Sequence, residues 1–380
     1  MKLLIFLLIG CLSAHASENF KNGEANFKEV MQKILDGYVD KVSPDDLYRA
    51  ATAGMLSSLN SGDQAFNKLL TPGDLKEMKE DLTGKTSGVG AVLKFDEASG
   101  HALVLEAIPG SPADKSGLKK EDVVLSVDGA KFKGKKFSDM VASIRGKAGS
   151  PVSLRVLRDD RVVSLTIKRE LVPWTQVELN KVNDSTSVLS IGYFTEQTPT
   201  LVEGKLKEFK GKTLIVDLRY NAGGGFTQAI KTAGYFVPKG TVVASTEDRN
   251  HKVETFKSEG GLLTDDVNVL VVVNHDTFCA AELLAASLRV NRGAKIIGEN
   301  TFGKWDAQTV DVLSNGYGIK YTVMNFSDPR GERYPGTGLK PDVNVDMPKE
   351  HNISELRMKY DFTKRLALDT QLKAAVALAR

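Results

Sequence analysis

Residues 265–310 read DDVNVLVVVNHDTFCAAELLAASLRVNRGAKIIGENTFGKWDAQTV. The apolar run 267–273 has strand length and β-branched content, and the alanine- and leucine-rich stretch 280–290 has helical periodicity. Residues 294–298 form a second short apolar strand. Strand, helix and strand in that order predict an α/β unit with parallel strands. Its loops carry chemistry. Cys279 stands just before the predicted helix, and Lys304 and Gln308 follow the second strand. A thiol at a helix start sits near unpaired amides and the positive dipole end, which favours thiolate and supplies donors for a developing oxyanion.

The same alternation continues upstream. Residues 187–193 predict a strand, and 198–209 a helix with Thr198 as N-cap and Pro199 at its first position. Residues 213–218 predict a buried strand that runs into Arg219-Tyr220-Asn221-Ala222-Gly223-Gly224-Gly225, followed by a helix at 228–236. A glycine turn at the carboxyl end of a buried strand lies where α/β sheets bind ligands. Downstream, 352–380 predicts amphipathic helices with Leu366, Leu372 and Val376 facing the core.

Ahead of this core the texture differs. Residues 19–83 predict helices, with Phe27, Val30, Met31, Ile34 and Leu35 at helical spacing, as are Leu47, Ala50, Ala51, Met55 and Leu56. Thr71 and Pro72 open the last of these helices. Residues 92–95 and 102–107 predict strands, then a turn and short helix close at Gly117. A strand at 122–127 ends in an Asp128-Gly129 turn, a helix spans 137–144, and 152–157 with 162–168 predict a hairpin. The segment GSPADKSGLKKEDVVLSVDG resembles the central signature of a PDZ domain. That resemblance implies a peptide's carboxyl terminus added as a strand, its carboxylate held by a loop falling on Ser87, Gly88, Val89 and Gly90.

Composition narrows the classes. Hydrophobic content of 41%, charged content of 26% and a net charge of +3 fit a globular protein and give no argument for nucleic acid. Lys131, Lys133, Lys135 and Lys136 read as a solvated loop. Residues 1–16 resemble a signal peptide, with an apolar core too short to span a bilayer and Ala14-His15-Ala16 at the cleavage point. Leu8-Ile9-Gly10-Cys11 also resembles a lipobox, which would tether the chain to a membrane through Cys11. Either leader exports the chain, to the periplasm or to a membrane facing it. Cleavage after Ala16 leaves Cys279 alone, so no disulfide can form within the chain. No metal-ligand spacing appears, and no cofactor is expected. The P-loop spacing at 298–304 is set aside because Trp305 follows Lys304, where a Ser or Thr would hold magnesium. His275 reads as a surface histidine rather than a base for Cys279.

With VDLRYNAGGG, NHDTFCAAE, GENTFGKWDAQ and GTGLKPDV added to the PDZ signature, the chain resembles the carboxyl-terminal processing (tail-specific) proteases, peptidase family S41. The resemblance implies a crotonase-like (ClpP/crotonase type) α/β protease core with an inserted PDZ domain and helical N- and C-terminal segments. The corresponding divisions are 1–16, 17–84, 85–170 (PDZ), 171–347 (core) and 348–380. It places the family's nucleophile on Cys279, its base on Lys304 and the orienting glutamine on Gln308, with Gly223, Gly224 and Ala280 offering oxyanion donors. The partner it implies is a protein or peptide with a free, apolar carboxyl terminus, and a homo-oligomer is compatible with it. This chain departs from the family at the nucleophile, where cysteine replaces serine. Thr277, Phe278 and Ala222 also depart from the family pattern, as do Trp305, which could fill the cleft, and Asp306, which would keep Lys304 charged. The expected activity is endopeptidase cleavage near carboxyl termini, and the alternative is a catalytically silent peptide-binding scaffold.

Overall fold

The computed structural model describes residues 22–60, 66–96, 100–108, 110–131, 137–173, 177–348, 356 and 361–379. The expected leader with Cys11 lies outside the described residues, as do Lys133, Lys135, Lys136, His351 and the first part of the C-terminal helical segment. No helix among the described residues is long and apolar enough to cross a membrane.

The chain divides into two compact units, residues 1–69 and 70–380. The first holds helices Gly23–Gly37 and Pro44–Ser57, which meet at Phe27 and Tyr48 with ring centroids 6.5 Å apart. Met31 and Leu56 are buried there, whereas Val30 and Met55 of the expected apolar stripes are exposed. Two helices alone cannot cover both stripes. The expected all-helical stretch is also interrupted by a short strand, Lys68–Leu70.

The second unit opens with helix Pro72–Thr83, whose start matches the sequence reading. The Thr71 hydroxyl accepts from the Asp74 amide at 3.1 Å, and the Asp74 carboxylate accepts from the Thr71 amide at 2.8 Å. Gly84 ends the helix in the left-handed region (φ 68°), where a side chain would be strained. Strand Lys85–Gly88 then pairs with Glu170–Pro173. Between those two strands lies an antiparallel sheet ordered Ala91–Asp96, His101–Ala107, Val123–Val127, Pro151–Arg158 and Arg161–Lys168. Helices Pro112–Lys115 and Phe137–Ile144 complete this domain. Asp128 and Gly129 both take positive φ (47° and 80°), as the tight turn after Val127 requires.

The following core is built on a six-stranded sheet ordered Val177–Lys181, Thr186–Ile191, Thr213–Asp217, Asn268–Val273, Lys295–Gly298 and Val343–Asn344. The first pair is antiparallel and the rest are parallel. Side chains alternate across it. Leu214 and Val216 enter one apolar cluster with helices Thr198–Glu208, Phe226–Gly234 and Ala280–Arg292, while Ile215 enters another beneath helix Thr370–Leu378. Covered on both faces, the central strands read as continuous apolar runs. Burying Leu214, Ile215 and Val216 contributes roughly 5–9 kcal/mol before chain entropy is counted.

Three details differ from expectation. Helix Thr198–Glu208 has Gln197 at its N-cap position with no side-chain cap; the Thr198 hydroxyl donates to the Tyr193 carbonyl and accepts from the Thr195 amide. The helix after the glycine turn is Phe226–Gly234, because Gly225 already supplies its N-cap. The strands Val242–Asp248, Val253–Lys257, Asp306–Val312 and Gly318–Ser327 form a further antiparallel system that the alternating pattern did not announce.

Candidate active site

Three loops leave the carboxyl ends of neighbouring parallel strands and converge. The loop after Thr213–Asp217 carries Gly223, that after Asn268–Val273 carries Cys279, and that after Lys295–Gly298 carries Lys304. The first two are stitched together. The Phe278 amide donates to the Asn221 carbonyl at 3.1 Å, the Tyr220 amide to Asn274 Oδ1 at 3.0 Å, and the Thr277 hydroxyl to the Leu218 carbonyl at 2.9 Å. Thr277 is therefore a buried tie between loops.

Cys279 is the N-cap of helix Ala280–Arg292 at φ 59°, ψ −123°. A non-glycine residue there stores on the order of 1–3 kcal/mol of strain, which the loops around it must hold. Its Sγ lies 3.8 Å from Lys304 Nζ. Lys304 is buried, and Nζ donates to the Asp306 carboxylate at 2.8 Å, the Asp306 carbonyl at 2.7 Å and Gln308 Oε1 at 2.9 Å. Strand Asp306–Val312 explains the pairing: residues two apart share a face, so Asp306 and Gln308 both look toward the lysine. Burial pushes the Cys279 thiol above its ordinary value. The Lys304 charge and the Ala280 amide pull the other way, and the Glu282 and Asp306 carboxylates add to the rise.

The structure thus brings Cys279, Lys304, Gln308, Gly223 and Ala280 into one place. A Cβ on Gly223 would come within 2.9 Å of the Cys279 Cβ, so only glycine permits this approach. Its amide, however, donates to Asn221 Oδ1 at 2.9 Å, and its carbonyl accepts from the Phe194 amide. Gly224 is bridged to Phe194. Trp305 does not fill a cleft. It is buried in the core against Phe326 and Tyr334, with ring centroids 5.2 Å from each. His275 is exposed. Ser87 and Gly88, expected in a loop, belong to the strand Lys85–Gly88, where the two ends of the PDZ domain pair. Val89 is buried, and its carbonyl and that of Gly90 accept from the Ala113 and Ile108 amides at 2.7 and 2.9 Å.

Glu282, the last residue of NHDTFCAAE, has no role assigned from the sequence. In the fold it is fully buried, and its carboxylate accepts from the amides of Cys279 (2.9 Å), Gly303 (2.7 Å) and Lys304 (2.8 Å) and from the Thr301 hydroxyl (2.6 Å). Burial pushes its carboxyl up, and these four donors oppose the rise. An acid three residues into a helix is a capping-box signal that was legible beforehand. Asn221 was missed as well; it holds the Gly223 amide and donates to the Ile191 carbonyl at 2.9 Å. Burial pushes the Tyr193 phenol up to about 12, with the Asp81 and Cys279 charges adding to the rise. Among the described residues, no group of three or more His, Cys, Asp or Glu is placed to hold a metal ion.

A PDZ domain ahead of an α/β core, with a thiol and an amine meeting at the sheet's carboxyl edge, points to a class of peptidases. Residues 185–345 match the model of peptidase family S41, and residues 88–168 match that of the PDZ domain. The chain is 32% identical over 342 residues to a "Probable CtpA-like serine protease" of Staphylococcus aureus (strain bovine RF122 / ET3-1), covering 88% of this chain and 68% of the relative. It is 31% identical over 352 residues to the carboxy-terminal processing protease CtpA of Bacillus subtilis (strain 168), covering 91% and 74%. The solved photosystem II D1 C-terminal processing protease superposes with a TM-score of 0.51 at 25% identity, covering 86% of this chain and 95% of that one. The chain belongs to the carboxy-terminal processing proteases of peptidase family S41.

Proposed function

We propose that this chain is an exported, PDZ-guided endopeptidase that cleaves proteins near their carboxyl termini. Cys279 is its nucleophile, Lys304 its proton-transfer partner and Gln308 the group that orients the lysine. The observation that carries this reading is the 3.8 Å approach of Lys304 Nζ to the sulfur of a residue held at positive φ on a helix N-cap. The PDZ domain would capture an apolar carboxyl terminus as an added strand and present the chain upstream of it to the cleft. The Ala280 and Gly224 amides would hold the oxyanion, and Gly223 would join them once Asn221 released its amide. Export rests on the leader-like residues 1–16.

One observation favours a silent peptide-binding protein instead, namely the Gly223 amide engaged by Asn221. The test incubates an unstructured polypeptide ending in small apolar residues with wild type, Cys279→Ala and Lys304→Ala, with products read by mass spectrometry. Products that depend on both residues are expected. Retained peptide binding without any such product would leave the binding protein as the function.

A further inference from the structure

We infer that Asp306 is a positioning residue that holds Lys304 as an ammonium and so commits the site to a thiol nucleophile. The inference rests on the reading of Cys279 and Lys304 as the reacting pair. An ammonium has three N–H donors and no acceptor, whereas a neutral amine has two donors and a lone pair. Lys304 Nζ faces three acceptors within 2.9 Å: the Asp306 carboxylate, the Asp306 carbonyl and Gln308 Oε1. The glutamine cannot turn its amide nitrogen toward the lysine, because Nε2 donates to Asp306 Oδ1 at 2.9 Å and to Thr322 Oγ1 at 3.1 Å. Lys304 can donate to all three acceptors at once only when it carries its third proton. The sulfur at 3.8 Å then receives charge stabilisation rather than a base.

The consequence for chemistry depends on the nucleophile. A hydroxyl must surrender its proton to a base as it attacks, and an ammonium has no lone pair to take it. A thiol is acidic enough to lose its proton before it attacks, even though burial holds Cys279 above the roughly 8.5 of an ordinary thiol. In the first half-reaction the Cys279 thiolate forms the C–S bond and the carbonyl π pair moves to oxygen. As the tetrahedral species collapses, the C–N bond breaks and the Lys304 ammonium gives its proton to the departing amine. In the second half-reaction the neutral amine takes a proton from water as that water attacks the thioester. The C–S bond breaks, and thiolate and ammonium are restored. Asp306 takes no proton in either half; it fixes the charge with which Lys304 begins.

The test has two arms. In the first, the folded chain is treated with trace acetic anhydride at fixed pH, and acetylation of Lys304 is quantified by mass spectrometry against exposed lysines. Asp306→Asn and Asp306→Ser should acetylate Lys304 at least about tenfold faster than wild type, the effect of losing an opposite charge at hydrogen-bonding distance. An unchanged rate in both variants overturns the inference, whatever the peptidase result. In the second arm, Cys279→Ser should cleave only at a trace rate while Asp306 is present. Combined with Asp306→Asn it should gain cleavage on the order of 100-fold over Cys279→Ser alone, the size of a general-base contribution. Cys279→Ser as active as wild type with Asp306 in place also overturns the inference. Faster Lys304 acetylation in a chain whose wild type cleaves nothing supports Asp306's hold on the lysine and removes the peptidase reading instead.

Discussion

Replacing Glu282 by glutamine keeps the side chain's shape and removes its charge. Oε1 of Glu282 accepts from the Thr301 hydroxyl and the Gly303 amide, and Oε2 from the amides of Cys279 and Lys304. A glutamine has one oxygen, so its NH2 must face one of these pairs of donors. If it faces Thr301 and Gly303, the hydroxyl can turn to accept and a single buried amide is orphaned. If it faces the other pair, the backbone amides of both Cys279 and Lys304 lose their acceptor. Each orphaned buried donor costs about 1–3 kcal/mol, so with the less costly orientation adopted Glu282→Gln should destabilise the core by about 1–3 kcal/mol. Unfolding in urea, followed by Trp305 fluorescence in a Trp174→Phe background, reports on this part of the chain, since Trp305 is buried in the core cluster. The carboxylate also pushes the Cys279 thiol up, so the variant should alkylate faster with iodoacetamide at neutral pH while being less stable. A stability within about 0.5 kcal/mol of wild type, the range of ordinary surface changes, would refute the claim that this carboxylate holds the two loops together.

Iodoacetamide labelling of Cys279 should rise with pH to a midpoint above the roughly 8.5 of an unperturbed thiol, and Lys304→Met should move it higher still by removing the nearby positive charge. The folded thiol keeps its proton to higher pH than the unfolded one. Its contribution to stability is therefore complete below the unfolded thiol's pKa and declines as pH rises through the folded value, which urea titrations of wild type and Cys279→Ala would show. Trp305→Ala should cost about 3–5 kcal/mol in urea unfolding without opening the cleft, because the indole packs in the core against Phe326 and Tyr334. Faster peptide cleavage without loss of stability would contradict that placement. Asp369→Ala should cost about 3–5 kcal/mol by the same measurement. It strips one carboxylate, at 2.8 Å, from the fully buried Arg219, which Asp217 also contacts at 2.8 Å.

The sequence by itself determined the α/β core. Residues 214–216 and 269–273 are apolar without alternation, as a sheet covered on both faces requires, and the turn residues after them mark where the loops leave. It also carried the meeting of Cys279 and Lys304, because each follows such a strand within one β-α-β unit, and parallel neighbours bring their carboxyl ends together. What only the tertiary structure decided are the contacts that the loops make, within themselves and with elements far apart in sequence. Trp305 could be read as a cleft residue until the antiparallel strands at 306–327 placed Phe326 beneath it. The Gly223 amide could be read as a free donor until the fold of its own loop put Asn221 Oδ1 on it. Glu282 stands three residues into its helix, and it ties the Cys279 and Lys304 backbones together because the 301–304 loop folds back onto it. Periodicity encodes which face of an element is buried. Which polar group meets which depends on how the loops at one sheet edge satisfy one another's donors and acceptors, and that is fixed only once the sheet is assembled.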